Sequence, residues 1–227
     1  MSLFDRIASL RRPPKTIGGV VTGTVVDHND PLGEGRVMLD LGTKVDPPRL
    51  WARLATLMAG PERGTWFVPD VGDEVLVAFE HGDPNRPVVI GSLWNDDARP
   101  PAEIDADNGR RSIVTRSGAR IMIDDTGGRC VLRLETAGGR QVTLDDGPPG
   151  NITVADADGS SITIEPGVVE VRSPSKLTLT ATTVTISAAT VALEAPTVEA
   201  SGVVKCDTIT ADNVVASSYT PGTGNVW

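Results

Sequence analysis

Residues 177–204 read LTLTATT, VTISAAT, VALEAPT and VEASGVV, one seven-residue unit repeated four times without a break. The first, third and fifth positions of each unit are mostly apolar: Leu177, Leu179 and Ala181, Val184, Ile186 and Ala188, Val191, Leu193 and Ala195, then Val198 and Ala200. A spacing of two puts side chains on one face of a β-strand. The phase slips by one residue between units, so each strand must turn before the next begins. A heptad also suggests a coiled coil, but that needs apolar a and d positions, charged e and g positions and good helix formers. Here Thr and Val dominate, and Glu194 and Glu199 are the charges in the repeat. The unit describes a short strand that turns a corner every seven residues, which is a β-helical rod.

Upstream, a longer repeat leads into it. GARIMIDD (118–125), GRQVTLDD (139–146) and GSSITIE (159–165) share the form Gly-x-x-apolar-x-apolar-acid and recur about every twenty residues. Alternating runs at 130–135 and 168–171 fall near them, so a strand arrives about every ten residues. The spacing then tightens to seven after residue 176, which implies a cross-section that narrows toward the C-terminus. Residues 111–218 contain no Phe, Trp or Tyr. An aliphatic, Thr-rich interior of that length suits a narrow rod.

The first hundred residues are different. Trp51, Trp66, Phe67, Phe79 and Trp94 lie there. Candidate strands at 19–26, 36–41, 50–57, 74–79 and 87–93 alternate with HNDPLGEG, KVDPP and EHGDPNRP, which are rich in turn formers. Five strands in about 80 residues fit a Greek-key barrel of the OB type. The expected fold class is therefore all-β, an OB-type barrel followed by an intertwined trimeric β-helix. The expected segments are a basic start at 1–16, the barrel at 17–97, a polar linker at 98–110, the needle at 111–218 and a terminal segment at 219–227.

The trimer follows from burial. Four heptads make little more than one triangular coil, and stacked repeats need several layers to bury a core. Alone, the inward stripe is a long exposed apolar patch. Three chains wound about one axis cover it and pair every strand edge. The residues expected at the trimer core are Leu177, Leu179, Val184, Ile186, Val191, Leu193 and Val198. A single-chain solenoid that uses the upstream strands as coils is the competing arrangement.

The net charge of the 227-residue chain is −9, and aromatic residues are 4% of it. An acidic chain repels phosphates, so nucleic acid is not an expected partner. Residues 1–16 are the basic exception, with Arg6, Arg11, Arg12 and Lys15 against Asp5. No stretch is apolar enough for a secretory leader or a membrane span, so synthesis in the bacterial cytoplasm is expected. Cys130 and Cys206 have no metal-like spacing; they read as small buried side chains or as an interchain disulfide. The sequence holds no nucleophile elbow, HExxH or phosphate loop, so catalytic residues, cofactors and metals are all expected to be none. The pairs Asp124–Asp125 and Asp145–Asp146 stand before Gly-containing turns, where Asp serves the backbone. His28 and His81 sit in polar loops.

The run PDVGDEVLVAFEHGDPNRPVVIGSLWN (69–95) strongly resembles the OB domain of central spike proteins of contractile injection machines. These include phage baseplate assembly protein V and the VgrG proteins of type VI secretion. NDPLGEGRVML (29–39) is similar to the same domain's first turn and strand, and the Gly-x-x repeats resemble the start of the VgrG needle. The resemblance implies a non-enzymatic homotrimeric spike at the centre of a baseplate, which pierces a target cell envelope when the sheath contracts. It implies a hub protein at the barrel end, and Arg11 and Arg12 are candidates for docking on it. It also implies a PAAR-like tip protein, for which Tyr219, Pro221, Asn225, Val226 and Trp227 in YTPGTGNVW are the candidate platform. The short segment before the barrel differs from VgrG proteins, which carry a large hub region there, and is closer to a short phage-type spike. A His-x-His iron motif, found in some short spikes, does not occur here. Two other readings remain: an OB-fold binding module on a β-solenoid stalk, and a trimeric receptor-binding fibre.

Overall fold

The computed structural model describes residues 16–218 apart from 43, 44, 46 and 105. The hub-docking candidates Arg11 and Arg12, and the tip candidates Tyr219, Pro221, Asn225, Val226 and Trp227, lie outside the described residues. The structure is all-β, and its described part divides after Ser175 into two units.

The first unit opens with a closed barrel. Its strands are β1 (Val20–Asp27), β2 (Val37–Asp40), β3 (Arg49–Leu54), β6 (Glu74–Phe79) and β7 (Pro87–Leu93). The order around the barrel is β1-β2-β3-β7-β6, and β6 pairs back onto β1. All neighbours are antiparallel except β3 and β7, which run parallel. The core follows from alternation: Val75, Val77 and Phe79 point inward from β6, and meet Val25, Val37, Leu39, Ala52 and Val89. Inward Val and Leu at every second position are what a half-buried strand requires.

The strand expected at 50–57 stops at Leu54. Leu54 is the last residue in register with β7, and the Ala55 amide donates to Val89 O at 2.8 Å. The Thr56 hydroxyl then donates to Thr65 O at 2.8 Å and closes the base of a small hairpin, β4 (Ala59–Gly60) with β5 (Arg63–Gly64). This hairpin is not legible in the sequence, because PERG (61–64) lacks the alternation that marks a strand.

The β1–β2 loop is built around Asp30. Its carboxylate accepts from the amides of Leu32 (3.1 Å) and Glu34 (2.8 Å), and pairs with the Arg36 guanidinium at 2.7 Å. The Arg36 guanidinium in turn lies over the Trp51 ring, 5.8 Å from its centroid. Gly35, at φ +72°, lies under the Trp66 ring, which is 3.3 Å from where a Cβ would stand. The hydrogen bond from Arg36, and then those from the loop amides, hold the Asp30 carboxyl far below the usual carboxylate range.

After residue 109 the unit continues as a seven-stranded antiparallel meander. Its strands are β8 (Arg110–Val114), β9 (Arg120–Asp124), β10 (Val131–Glu135), β11 (Gln141–Asp145), β12 (Asn151–Ala155), β13 (Ser161–Glu165) and β14 (Val168–Arg172). The twenty-residue repeat is thus a pair of strands. Its glycine is the last turn residue before β9, β11 and β13, with φ of +88°, +79° and +91° at Gly118, Gly139 and Gly159. That left-handed turn is open to Gly at no steric cost, which explains why the motif begins there.

The second unit, described for 176–218, contains no strand and no strand pairing. A strand exists by hydrogen bonding to a neighbour, and within one chain these segments have none. The heptads still leave their mark: the backbone bends at Thr182, Ala189 and Pro196, seven apart. Beyond Gly202 the bends come every five residues, at Asp207, Asp212 and Ser217. The sequence then reads Val204-Lys-Cys206, Ile209-Thr-Ala211, Val214-Val-Ala216, an apolar residue and a small one in each five.

Asp30 provides a test. Its pKa is depressed by folding, so the stabilisation is complete above the unfolded value of about 3.9 and fades as pH falls through the folded value. Asp30→Asn should lower the barrel's melting temperature at neutral pH, and the gap to the parent should shrink in acid. Equal melting temperatures at pH 7 would contradict the role given to this carboxylate.

Candidate functional site

In an antiparallel ladder, directly opposed residues share a face. Following the register across the meander gives two continuous apolar rows. One runs Ile113, Ile121, Leu134, Val142, Val154, Ile162 and Val171. The other runs Ile123, Leu132, Leu144, Ile152, Ile164 and Val169, with Arg111 in its β8 place. Each strand therefore contributes two apolar side chains to one face. Except for half-buried Val142, all are exposed, from 38% at Ile123 to 68% at Val169.

Polar residues bound the stripe on both sides. Two residues further along the strands, the same face carries Asp125, Cys130 and Asp146 at one edge. The Asp125 amide donates to Gly109 O at 3.1 Å, and the Asp146 amide to Cys130 O at 3.0 Å. At the other edge lie Thr115, Thr136, Arg140, Asp156 and Ser160, again joined by backbone bonds. The opposite face carries a row that is polar except for Met122: Ser112, Met122, Arg133, Thr143, Thr153, Thr163 and Glu170. Thr143 and Val131 on that face are buried, whereas the apolar face is open. Hydrophobicity and burial are inverted relative to a self-sufficient sheet.

The stripe is not flat. A shallow cavity of about 460 Å³ is lined by Leu144, Ile152 and Ile164 from the stripe, and by Asp145, Asp146, Pro149 and Pro166 at its edge.

The acidic pairs do turn work. Asp124 accepts from the Thr126 amide at 2.9 Å, from the Thr126 hydroxyl, and from Arg110 Nε at 3.0 Å. The bonds from Thr126, and then that from Arg110, lower its pKa to about 2. Asp145 accepts from the Gly147 amide at 2.8 Å and faces Arg129 at 3.6 Å. Cys130 is half-buried and Cys206 exposed, and neither is in a disulfide. A hydrogen bond with Asp125, then burial, push the Cys130 thiol up, which makes it a poor nucleophile. His28 and His81 are exposed in turns. Among the described residues no cluster of His, Cys, Asp or Glu is arranged to hold a metal ion, and no helix is long and apolar enough to cross a membrane.

The seven residues expected at a trimer core are all exposed in the second unit, from 53% at Val191 to 73% at Leu179. Their sequence spacing of two is the one found within each strand of the meander. The sequence reading did not name the meander's own pairs, although Ile121 with Ile123 and Ile162 with Ile164 carry the same signal.

Comparison with known proteins fits this geometry. Residues 21–94, which span the closed barrel, match the family described as the type VI secretion system/phage-baseplate injector OB domain. The chain is VgrG-like. It is 35% identical over 112 residues to the type VI secretion system spike protein VgrG5 of Pseudomonas aeruginosa, across 46% of this chain and 14% of that protein. It is 36% identical over 108 residues to VgrG4b of the same organism, across 44% of this chain and 13% of the relative. With VgrG3 of Vibrio cholerae it shares 40% identity over 45 residues. The chain thus spans 14% or less of the length of these VgrG relatives.

The Asp124 network gives a local test. Asp124→Ala removes the acceptor that fixes Arg110 and the Thr126 turn. Amide exchange at 109–111 and 125–127 should speed up while the barrel amides stay unchanged. Unchanged exchange at both segments would contradict the turn role.

Proposed function

We propose that this protein is the non-enzymatic central spike of a contractile phage tail or related injection particle, and that it acts as a homotrimer. The observation that carries the reading is the uncovered two-row stripe. Thirteen aliphatic side chains lie on one face in continuous rows, far more than a monomeric surface ordinarily exposes. Covering a half-exposed aliphatic side chain is worth on the order of 1 kcal/mol. The stripe therefore favours association strongly even after the entropy of assembly.

Two further copies provide that cover. In a threefold arrangement each layer gathers two residues from each chain around one axis, and polar edges at Asp125 and Asp156 face outward. The heptads at 177–204 continue the pattern, and the five-residue spacing beyond Gly202 gives shorter edges and a thinner rod. Strands of the second unit would pair between chains, so that no edge is left open. Such a rod resists unfolding through a high barrier, since many interchain bonds must break together.

The mechanism is mechanical. Contraction of a sheath drives the rod through the target cell envelope. The barrel forms a collar at the baseplate and meets a hub protein there, with Arg11 and Arg12 as docking candidates. The terminal residues Tyr219, Pro221, Asn225, Val226 and Trp227 form the platform for a PAAR-like tip protein. The protein is made in the cytoplasm and assembled at the baseplate centre, and it uses no cofactor, metal or nucleic acid.

Ile152→Asp, Leu179→Asp or Ile186→Asp puts three charges close to one axis in a dry core, which is strongly unfavourable. Each should abolish the detergent-resistant trimer band in gel electrophoresis. Thr163→Lys, on the opposite face and across from Glu170, should leave that band intact. Equal trimer yield in all four variants would sink the packing scheme.

A further inference from the structure

Asn108-Gly109 stands just before β8, and it is the one place in the chain where glycine follows asparagine. Asn108 is exposed and has a left-handed backbone, with φ +45°. Its side-chain carboxamide carbon is an electrophile one residue from a nucleophile, the Gly109 amide nitrogen. After the other asparagines the next residue is Asp, Arg, Ile or Val, whose side chain crowds that nitrogen. Glycine leaves it open. The nitrogen must lose its proton to attack, and the negative charge then spreads onto the carbonyl oxygen of the same peptide unit, Asn108 O. A cation already holds that oxygen. The Arg111 guanidinium donates from Nη1 to Asn108 O and, at 2.9 Å, to Arg110 O. Positive charge there favours the deprotonated peptide, as donors in an oxyanion hole favour a developing anion.

We infer that Asn108-Gly109 is a self-modification site, at which the chain converts Asn108 to aspartate and isoaspartate, and that Arg111 promotes the step. The Gly109 nitrogen gives its proton to solvent and bonds to Asn108 Cγ. The Cγ–Nδ2 bond breaks, and the nitrogen leaves as ammonia with a proton taken from solvent. Water then opens the cyclic imide. Attack at Cγ leaves an aspartate at position 108; attack at the backbone carbonyl carbon leaves isoaspartate, whose main chain runs through Cγ and is one carbon longer. Water is the one reagent consumed.

The fold has little room for the longer path. Gly109 O accepts from the Asp125 amide at 3.1 Å. A Cβ on Gly109 would stand 2.6 Å from Thr126 Cγ2 and 3.0 Å from the Thr126 amide nitrogen. An added carbon moves Gly109 out of this seat, so isoaspartate loosens the start of β8 where Arg110 pairs with Asp124. The change therefore falls on the joint between barrel and meander.

The test incubates the full chain in mildly alkaline buffer. Peptide mass spectrometry follows conversion at position 108, released ammonia is assayed, and an isoaspartyl methyltransferase labels the isoaspartate. The same chain unfolded in urea gives the rate without the turn, and far-UV circular dichroism checks that each variant is folded. The folded parent should convert at position 108 ahead of every other asparagine, faster as pH rises. Arg111→Gln should convert roughly tenfold more slowly, a smaller loss than at a buried oxyanion donor. Arg111→Lys should regain part of the rate, because the charge is what acts. A folded parent that stays unconverted while the unfolded chain reacts means that the turn protects Asn108, and overturns the inference. Conversion in Arg111→Gln as fast as in the parent, or faster, also overturns it.

Discussion

An extended chain with two apolar side chains per strand has one overriding need, which is something to lie against that face. The meander meets half of its requirements alone. Its backbone bonds are made strand to strand, its turns are closed by Gly118, Gly139 and Gly159, and its polar face is partly buried. Its apolar face remains open from Ile113 to Val171. The second unit lacks even the ladder, since no residue between 176 and 218 belongs to a strand. The further along the chain, the less one copy suffices, and the stronger the case for shared winding.

The barrel is built by the opposite logic. Val25, Val37, Leu39, Ala52, Val75 and Val77 close a core that needs no other chain. Its long β1–β2 loop is fixed by a nearly buried carboxylate, with the Asp30 side chain 4% exposed against an Arg36 side chain at 18%. Desolvation of that pair is offset by the loop amides, which satisfy the remaining acceptor capacity. The Arg53 and Arg86 side chains both pair with Glu80, which ties β3 to the β6–β7 turn. A barrel with a closed core of its own can fold before any assembly.

Much of this was legible in the sequence where side-chain period and turn chemistry agree. The strands expected at 74–79 and 87–93 match β6 and β7 because EVLVAF alternates cleanly and Gly and Pro punctuate both ends. The heptads stood out because Thr and Val recur without interruption. The β4–β5 hairpin did not, since two-residue strands have no period to read. The role of Asp30 was hidden too, because its partners depend on how the loop folds back. The paired rows of the meander became visible only with the register, which decides whether Ile123 faces Leu132 or misses it. The five-residue spacing beyond Gly202 is hidden in the sequence because Val-Lys-Cys and Ile-Thr-Ala do not look alike until the bends align them.

The most direct test of shared winding is native-state amide hydrogen exchange across residues 177–216 of the intact protein. One chain offers these amides no strand partner, so protection must come from other copies. Shared winding requires slow exchange throughout the segment, comparable to β6 and β7 of the barrel. Exchange at the rate of an unstructured peptide would contradict it.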